Sequence, residues 1–542
     1  MGTVVAYALV VLYLIILALL AIMGGHRWQL VYLYRKHRDR RPQLHACFTS
    51  LPKVTVQLPM FNEQCVAKRI IDSACQLDYP KAKLQIQVLD DSTDTTSEIA
   101  KASVTQYQNA GYDITYIHRA NRIGYKAGAL ANGLATATGE FVLIYDADFL
   151  IPKGNLLATI HYFTDPLVGF VQCRWTHLNR DHSLLTKIQA IYLDAHFIIE
   201  HTARNRSGRL MNFNGTAGIW RTAAINKAGG WQHDTLTEDM DLSYRAQLIR
   251  FRGVYLPELT APAELPPGMS GFKSQQFRWT KGAIENAYKL LPTIIKSKLT
   301  VAQKSEALFH LLNPFAYLLV TALIILLGFM FKHKTTVASE YHYIVIFGGI
   351  MSLLMASGSA ATFYMIAQKE RTGSAKPFIK YVPAVMALGV GIGLNNCIAI
   401  FQAMANKRTP FVRTPKFANT TVAHIELYDN KGVWGQITKI PKMAWVEFVM
   451  GCYVAMIPCY YALTLNRWGT LFLPFIFIFV YGYWYVALGT VSPILNMAMQ
   501  NRTQKSDAVK TVTLPGCVSE VARSADEYAM NQADDRNVGG TP

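Results

Sequence analysis

The sequence has few acidic residues, and its cysteines do not follow a metal-binding pattern. It contains 35 Asp and Glu against 53 Lys and Arg, which gives a formal net charge of +18. The eight cysteines form no CxxC pair and have no histidine at zinc spacing. This pattern argues against a zinc site and is typical of packing residues in a reducing compartment. The basic residues cluster beside hydrophobic segments, so no nucleic-acid partner is expected.

Hydrophobic residues make up 51% of the chain, and the first long apolar run extends from Val4 to Met23. At about 1.5 Å per residue, this run matches a hydrocarbon core of about 30 Å. The residues before it carry no positive charge, unlike the start of a cleaved signal peptide. The basic segment 27–41 follows it, which predicts a membrane span with its N-terminus outside and its other end in the cytosol.

Further apolar stretches come late in the chain: Leu311–Phe331, Tyr343–Ile366, Ile379–Met404, Met443–Leu463 and Leu471–Thr490. If Ile379–Met404 crossed the membrane, the basic segment 406–416 would lie outside, against the bias for positive charge in the cytosol. We therefore expect a re-entrant or interfacial helix there, with a plain sixth crossing as the alternative. The polar end of the chain is expected to be disordered.

The polar block between the first span and the late ones alternates strand and helix patterns. Short β-branched runs at 53–62, 83–92, 112–119 and 140–149 are bounded by turn residues. A helix is expected after Asn62, which is a good N-cap residue. Such alternation predicts a doubly wound α/β sheet, in which ligands bind beyond the carboxyl ends of the strands.

Acidic pairs end two of these predicted strands: Asp90 with Asp91, and Asp146 with Asp148. Carboxylates two residues apart on extended chain can hold Mg²⁺ or Mn²⁺, and such a metal usually takes substrate phosphates as further ligands. A solvated turn is the alternative for the second pair. Lys126 lies near a predicted helix start, where it suits a diphosphate, although a plain surface lysine fits the pattern too.

Two later motifs add candidate residues. Glu238 and Asp239 lie in an acidic segment that suits a helix start, and beside a diphosphate one carboxylate becomes a candidate general base. In "SQQFRWTKG", Arg278 offers planar donors to phosphate and Trp279 an apolar face to a sugar ring, with Gln275 one turn back. The alternative is that this amphipathic helix only anchors the chain at lipid headgroups.

In combination and in this order, the motifs "LDDSTD", "YDADF", "TED" and "QQFRW" resemble the D, DxD, TED and QxxRW series of processive family 2 glycosyltransferases. That family includes the cellulose, chitin and hyaluronan synthases. "NRIGYKAGAL", "FNGTAGIWR" and "EDMDL" are most similar to the cellulose synthase-like A mannan synthases and related β-glucan synthases. "FVRTPK" looks like the family's gating loop F-x-V-T-P-K, with Arg413 where valine is common. The resemblance covers roughly Lys53 to Pro292.

The resemblance implies a role for each matching residue. Asp239 would be the general base, with Glu238 beside it. The donor nucleotide and its metal, Mg²⁺ or Mn²⁺, would be bound by Asp90, Asp91, Lys126, Asp146, Asp148, Gln275 and Arg278. The acceptor end of the glycan would contact Phe213, Asn214, Gly215, Thr216 and Trp279. The gating loop would use Phe411, Arg413, Thr414, Pro415 and Lys416.

The implied fold is a cytosolic α/β GT-A domain with a Rossmann-like, mostly parallel sheet, joined to a multi-pass helical membrane region with interfacial helices. The expected parts are 1–43 for the first span and basic linker, 44–267 for the GT-A domain, 268–310 for interfacial helices, 311–370 and 443–492 for membrane helix pairs, 371–442 for the re-entrant helix and gating loop, and 493–542 for the tail.

The implied function is an inverting, processive synthase of a β-linked mannan, glucomannan or β-glucan. It would use GDP-mannose or UDP-glucose, extend a growing glycan chain and secrete it through the bilayer. The membrane would be a bacterial inner or plasma membrane, or the Golgi in a eukaryote. Transfer of a single sugar to a lipid is the alternative, and a transporter with purely structural acids is a second one.

Overall fold

The computed structural model describes residues 2–332, 342–407, 440–463 and 473–504. Met1–Asn430 and Ile440–Pro493 belong to one compact unit. The second unit consists of Lys431–Lys439 and Ile494–Pro542, and its described part is the end of the last helix. The predicted gating loop, 411–416, lies outside the described residues.

A seven-stranded sheet forms the centre of the polar block, in the order β3-β2-β1-β4-β6-β5-β7. Its strands are β1 Val54–Met60, β2 Leu84–Asp90, β3 Asp113–His118, β4 Phe141–Ile144, β5 Val168–His177, β6 Gly218–Arg221 and β7 Arg252–Ala263. Neighbouring strands are parallel except that β6 is antiparallel to both β4 and β5. Every residue of β1 and β2 is buried, as expected for strands covered on both faces. The predicted mostly parallel GT-A type of sheet is confirmed.

Helices cover both faces of the sheet and continue into the apolar part of the chain. Their bounds are α1 Gly2–His37, α2 Ala67–Cys75, α3 Thr96–Asn109, α4 Tyr125–Leu134, α5 Asn155–Ile160, α6 Leu184–Ala195, α7 Thr202–Arg206, α8 Thr222–Lys227, α9 Glu238–Leu248, α10 Met269–Lys296, α11 Val301–Leu312, α12 Phe315–Lys332, α13 His342–Leu353, α14 Ser359–Thr372, α15 Val382–Gly391, α16 Gly393–Met404, α17 Lys442–Leu463 and α18 Leu473–Gln504. A π-helical turn, His196–His201, joins α6 to α7.

The expected N-cap at Asn62 is wrong, because α2 begins only at Ala67. Asn62 instead adopts a left-handed conformation, with φ of 53°. Its backbone N–H donates to Ser92 Oγ at 2.8 Å, and its side-chain oxygen accepts from Thr93 N at 2.8 Å. The residue therefore joins the loops that follow β1 and β2.

By length and composition, the described residues contain four helices able to cross a membrane, or up to five if the pair Val301–Leu312 and Phe315–Leu327, bent by 55°, counts as one span. The four are Tyr7–His37, Phe347–Thr372, Lys376–Met404 and Leu473–Leu495. The third contains the stretch expected to be re-entrant. It is interrupted at Ile392 between α15 and α16, and yet is long enough to cross, so the re-entrant helix stays a prediction.

The sheet domain and the apolar helices share packed surfaces. Leu185 and Ile188 of α6 lie in one buried cluster with Phe272 of α10, and with Leu388 and Val486 of the late helices. Lys273 Nζ of α10 lies 2.7 Å from Glu447 Oε1 of α17, and both side chains are buried. Because a buried ion pair loses most of its hydration, removal of one partner would leave the other charge buried and uncompensated between α10 and α17.

Helix α10 carries the apolar stripe that predicts a helix on the membrane surface, and this stays a prediction. It continues through Pro292, and only one side of it is exposed. Ile284 is fully buried against Ile400 and Ala403 of α16, whereas Tyr288 and Ile295 are exposed. One face of α10 is thus packed inside the protein, which leaves the remaining face for the predicted contact with lipid.

Candidate functional site

A cavity lies at the carboxyl end of the sheet and brings most of the predicted site residues together. The predicted residues that line it are Asp91, Lys126, Asp146, Asp148, Asn214, Gly215, Glu238, Asp239, Gln275, Arg278 and Trp279. Three other predicted residues in the described part of the chain do not line it. Asp90, Phe213 and Thr216 are fully buried behind its wall.

The two aspartates after β4 lie in a turn, whereas the sequence predicted extended chain. Phe149 N donates to Asp146 O at 3.1 Å, which closes the turn. Asp146 N donates to Thr216 Oγ1 at 2.8 Å, so Thr216 positions this turn from behind the cavity. The turn still places both carboxylates, Asp146 and Asp148, on the cavity wall.

Lys126 bridges this turn to the loop 213–217, which carries the residues predicted to contact the acceptor and is called the acceptor-motif loop below. Its Nζ forms an ion pair with the carboxylate of Asp146 and donates to Gly215 O at 3.0 Å. Burial alone would lower the pKa of Lys126, but the carboxylates of Asp146 and Glu238 raise it. Lys126 therefore stays charged at neutral pH.

Asp146 and Asp148 fit a divalent metal ion. Within the described residues, no group of three or more His, Cys, Asp or Glu side chains could hold a metal ion. Mg²⁺ and Mn²⁺ do not need such a group when one or two carboxylates and the substrate phosphates provide the oxygen ligands. The two carboxylates face a cavity with room for a phosphate, and this donor set suits a hard cation.

Asp90 and Asp91, the acidic pair after β2, have different surroundings. The Asp90 carboxylate accepts hydrogen bonds from Ser92 N at 2.9 Å, Ser97 Oγ at 2.5 Å and Tyr116 OH at 2.7 Å. Burial would raise the pKa of Asp90, but these three donors lower it. Asp90 thus orders the loop after β2, and its predicted contact with the nucleotide stays a prediction.

Asp91, in contrast, faces the cavity and is held by Arg119. Arg119 donates through Nε at 2.8 Å and also through Nη2 to the two carboxylate oxygens. Arg119 Nη2 also donates to Tyr125 O at 2.9 Å, at the start of α4. The loop after β3 therefore fixes Asp91 at one end of the cavity.

Helix α9 begins at Glu238 and presents the acidic motif to the cavity. Burial, and then the charge of Glu238, raise the pKa of Asp239 to about 7, although Lys126 opposes the shift. Gly215 lies close to the Asp239 carboxylate. A Cβ at position 215 would be 3.1 Å from Asp239 Oδ2, and the backbone φ of +79° is one that residues other than glycine rarely adopt. Asp239 can therefore exchange a proton near neutral pH.

Helix α10 fixes the segment just before Glu238. A Cβ at Gly282 would lie 2.5 Å from Thr237 Oγ1, so only glycine lets α10 approach so closely. Asn286 Nδ2 donates to Thr237 Oγ1 at 2.8 Å, and Leu236 N donates to Glu285 Oε2 at 2.8 Å. The helix that carries Gln275, Arg278 and Trp279 thus also positions the candidate base.

Sequence reasoning missed several residues of this cavity. Arg122 lies over the ring of Phe61 with its guanidinium carbon 3.3 Å from the centroid, and it lines the cavity. Trp175 and His177 at the end of β5 line it as well. Burial lowers the pKa of His177 to about 4, so its ring is neutral. The basic residues that follow β3 in "HRANRIGYK" were a usable signal, whereas β5 ends without an acidic motif.

Comparison with known proteins agrees with this geometry. Residues 52–282 match the family described as "Glycosyltransferase like family 2". The chain is 41% identical over 281 residues to glucomannan 4-beta-mannosyltransferase 2 of Arabidopsis thaliana, which covers 50% of this chain and 53% of that protein. It is 37% identical over 296 residues to glucomannan 4-beta-mannosyltransferase 1 of Oryza sativa subsp. japonica, with coverages of 52% and 56%. The chain spans about half the length of the curated relatives it matches.

Among solved structures, the mannosyltransferase PcManGT from Pyrobaculum calidifontis in complex with GDP-Man and Mn²⁺ is 20% identical, with a TM-score of 0.48. The similarity covers 75% of this chain and 100% of that one. The family match spans the sheet, the cavity and the first half of α10. Residues 52–282 are thus the part of the chain that is similar to the family 2 glycosyltransferases.

Proposed function

We propose that this protein is a membrane-bound, inverting, processive glycosyltransferase that builds a β-linked polysaccharide from a nucleotide sugar. The product is a β-1,4-mannan or glucomannan, or a β-glucan, and the donor is GDP-mannose or UDP-glucose. The observation that carries the proposal is Asp239, a carboxylate with a pKa of about 7 in the same cavity as Lys126 and Arg278. The names of the mannosyltransferase relatives support mannose as the transferred sugar.

The reaction is a single displacement at the anomeric carbon. Asp239 accepts the proton from the terminal hydroxyl of the growing glycan, and that oxygen forms a bond to the anomeric carbon. The bond from this carbon to the diphosphate breaks at the same time, and the nucleoside diphosphate leaves. Lys126 and Arg278 lie in the cavity to neutralise its charge. Trp279 offers an apolar face for the ring of the acceptor sugar.

Asp146 and Asp148 are the residues that would hold Mg²⁺ or Mn²⁺. Bound there, the metal would supply further positive charge for the diphosphate oxygens. Arg119 and Asp91 would define the nucleoside end of the cavity, since they lie beyond β2 and β3. The choice between Mg²⁺ and Mn²⁺ is open to direct titration.

The apolar helices support a membrane location, and the basic segment 27–41 supports an orientation with the catalytic domain in the cytosol and the N-terminus outside. Nucleotide sugars are then within reach of the cavity, and the polymer leaves through the helices that pack on α10. In this arrangement Gln275, Arg278 and Trp279, which α10 carries, would lie between the site of transfer and the membrane. The gating segment 411–416 remains a prediction from the sequence.

Release of nucleoside diphosphate from GDP-mannose, UDP-glucose and UDP-N-acetylglucosamine by the purified protein tests the proposal. Asp239→Asn should lower release and polymer synthesis by about 100-fold or more. Asp234→Asn is the matched control, because Asp234 is exposed and lies in the same acidic segment. Near-normal synthesis by Asp239→Asn would exclude its role as base.

The nature of the product separates the alternatives. Labelled polymer that a mannanase or glucanase degrades supports processive synthesis. Label that is soluble in organic solvent, without such a polymer, would support transfer of one sugar to a lipid. No release from any of the three donors would contradict glycosyl transfer altogether.

A further inference from the structure

A partly buried histidine, His196, lies directly behind the acceptor-motif loop. Its Nε2 is 3.1 Å from Asn214 Nδ2, and its Nδ1 is 2.8 Å from Glu200 Oε2. His196 begins the π-helical turn between α6 and α7. Such turns are rare and often occur at functional sites, because they redirect side chains from a helix.

These two contacts define the protonation of the ring. The carboxylate of Glu200 can only accept, so Nδ1 of His196 carries the proton and donates it. The amide nitrogen Asn214 Nδ2 can only donate, so Nε2 must be the unprotonated nitrogen that accepts. With the Asn214 amide nitrogen toward the ring, the tautomer that has its proton on Nδ1 satisfies both neighbours.

Glu200 is kept ionised by a network that reaches the first apolar helix. Arg204 Nη1 donates to Glu200 Oε2 at 3.3 Å, and Arg204 Nε donates to Glu306 Oε1 at 2.9 Å. Glu306 Oε2 in turn lies 3.1 Å from Nε2 of His26 in α1. Burial would raise the pKa of Glu200, but Arg204 and the His196 hydrogen bond lower it.

The Asn214 amide has its nitrogen toward His196. With Nδ2 held by His196, Oδ1 must point the other way, and Asn214 lines the cavity. Oδ1 is buried and accepts no hydrogen bond from any described residue. A buried acceptor without a partner is costly, so this oxygen is matched to a donor that arrives with a ligand.

We propose that His196 is a positioning residue that fixes the Asn214 amide so that Oδ1 accepts a hydroxyl of the acceptor sugar. This inference rests on the proposed glycosyl transfer and adds a part of its acceptor site. In the proposed function the donor is bound by Asp91, Lys126 and Asp146, and none of these three is hydrogen-bonded to His196 or to the Asn214 side chain. His196 therefore affects binding of the acceptor and leaves binding of the donor largely as it is.

Two polar replacements of similar size test the role of Nε2. In His196→Gln the side-chain oxygen can reach the position of Nε2 and accept from Asn214, whereas His196→Asn extends only to the position of Nδ1. We expect His196→Asn to bind β-1,4-mannohexaose about tenfold more weakly and to raise its KM as an acceptor by a similar factor. His196→Gln should stay within about threefold of the wild type.

His182→Asn, at an exposed histidine on the loop before α6, is the control and should behave as the wild type in each assay. The KM for GDP-mannose, measured by nucleoside diphosphate release on the same preparations, should change by less than about twofold and reports that each variant is folded. Equal acceptor binding by His196→Asn and His196→Gln would overturn the inference, as would a loss confined to the donor. Absence of release by the wild type would instead overturn the proposed transfer itself.

Discussion

The pKa of Asp239 leads to a quantitative prediction for the pH dependence of catalysis. A general base must be ionised, so the rate should rise with pH as Asp239 loses its proton. With a pKa of about 7, roughly one tenth of this carboxyl group is ionised at pH 6 and roughly nine tenths at pH 8. The turnover rate should therefore increase close to tenfold between these two values.

The perturbation that tests this reasoning is Glu238→Gln. Burial is the largest cause of the raised pKa and remains in the variant, but the negative charge of Glu238 is the next cause and is removed. The pKa of Asp239 should therefore fall, and the rising limb of the profile should move to lower pH. The maximal rate of the variant can differ for other reasons, so the midpoint of the limb is the quantity to compare.

The assay is release of nucleoside diphosphate at saturating GDP-mannose, from about pH 5 to pH 9 at constant ionic strength, since salt screens the charge of Glu238. We expect a midpoint near 7 for the wild type and a lower one for Glu238→Gln. A wild-type rate that stays level from about pH 5 upwards, as an ordinary aspartate with a pKa of about 3.9 would give, would refute the argument. So would an unchanged or higher midpoint in the variant.

Three further predictions concern the metal, α10 and the buried ion pair. Asp146→Asn should weaken Mn²⁺ binding, measured by electron paramagnetic resonance, by about tenfold or more. Gly282→Ala should lower the turnover rate by about tenfold or more, because its Cβ would displace the threonine of the TED motif, whereas Gly268→Ala has open space and should match the wild type. Lys273→Met should lower the free energy of unfolding, measured by thermal unfolding in detergent, by about 3–5 kcal/mol, because it leaves Glu447 buried without its partner. The double variant Lys273→Met with Glu447→Met should regain most of this loss in the same measurement.

The first four strands could be predicted from the sequence because β-branched runs between turn residues have few other solutions. β1 and β2 begin and end within the predicted runs. The antiparallel β6 could not be predicted in this way, since its four residues depend on pairing with β4 and β5. Strand order is decided by such distant contacts, which leave no periodic signal in the chain.

In the candidate site, too, some positions follow from local sequence patterns and others depend on contacts between residues distant in sequence. The strand-end position of Asp146 and the helix start at Glu238 follow from local patterns, and both residues line the cavity. Asp90 belongs to an equally clear motif, but its carboxylate is hydrogen-bonded by donors from its own loop, from α3 and from β3, and it does not line the cavity. Gly282 gave no sequence signal, because its role depends on the approach of α10 to a residue 45 positions earlier.

The placement of α10 has a practical consequence for work on this protein. A fragment that stopped before Met269 would retain the sheet, Lys126 and both metal-ligand candidates, yet it would lack Arg278 and Trp279 and the contacts that hold Thr237. Continuing to Lys296 would instead leave Phe272 and Ile284 without the late helices that bury them. Neither truncated fragment would contain the complete site in a stably packed form. The full-length protein should therefore be purified in lipid nanodiscs or detergent to obtain an active sample.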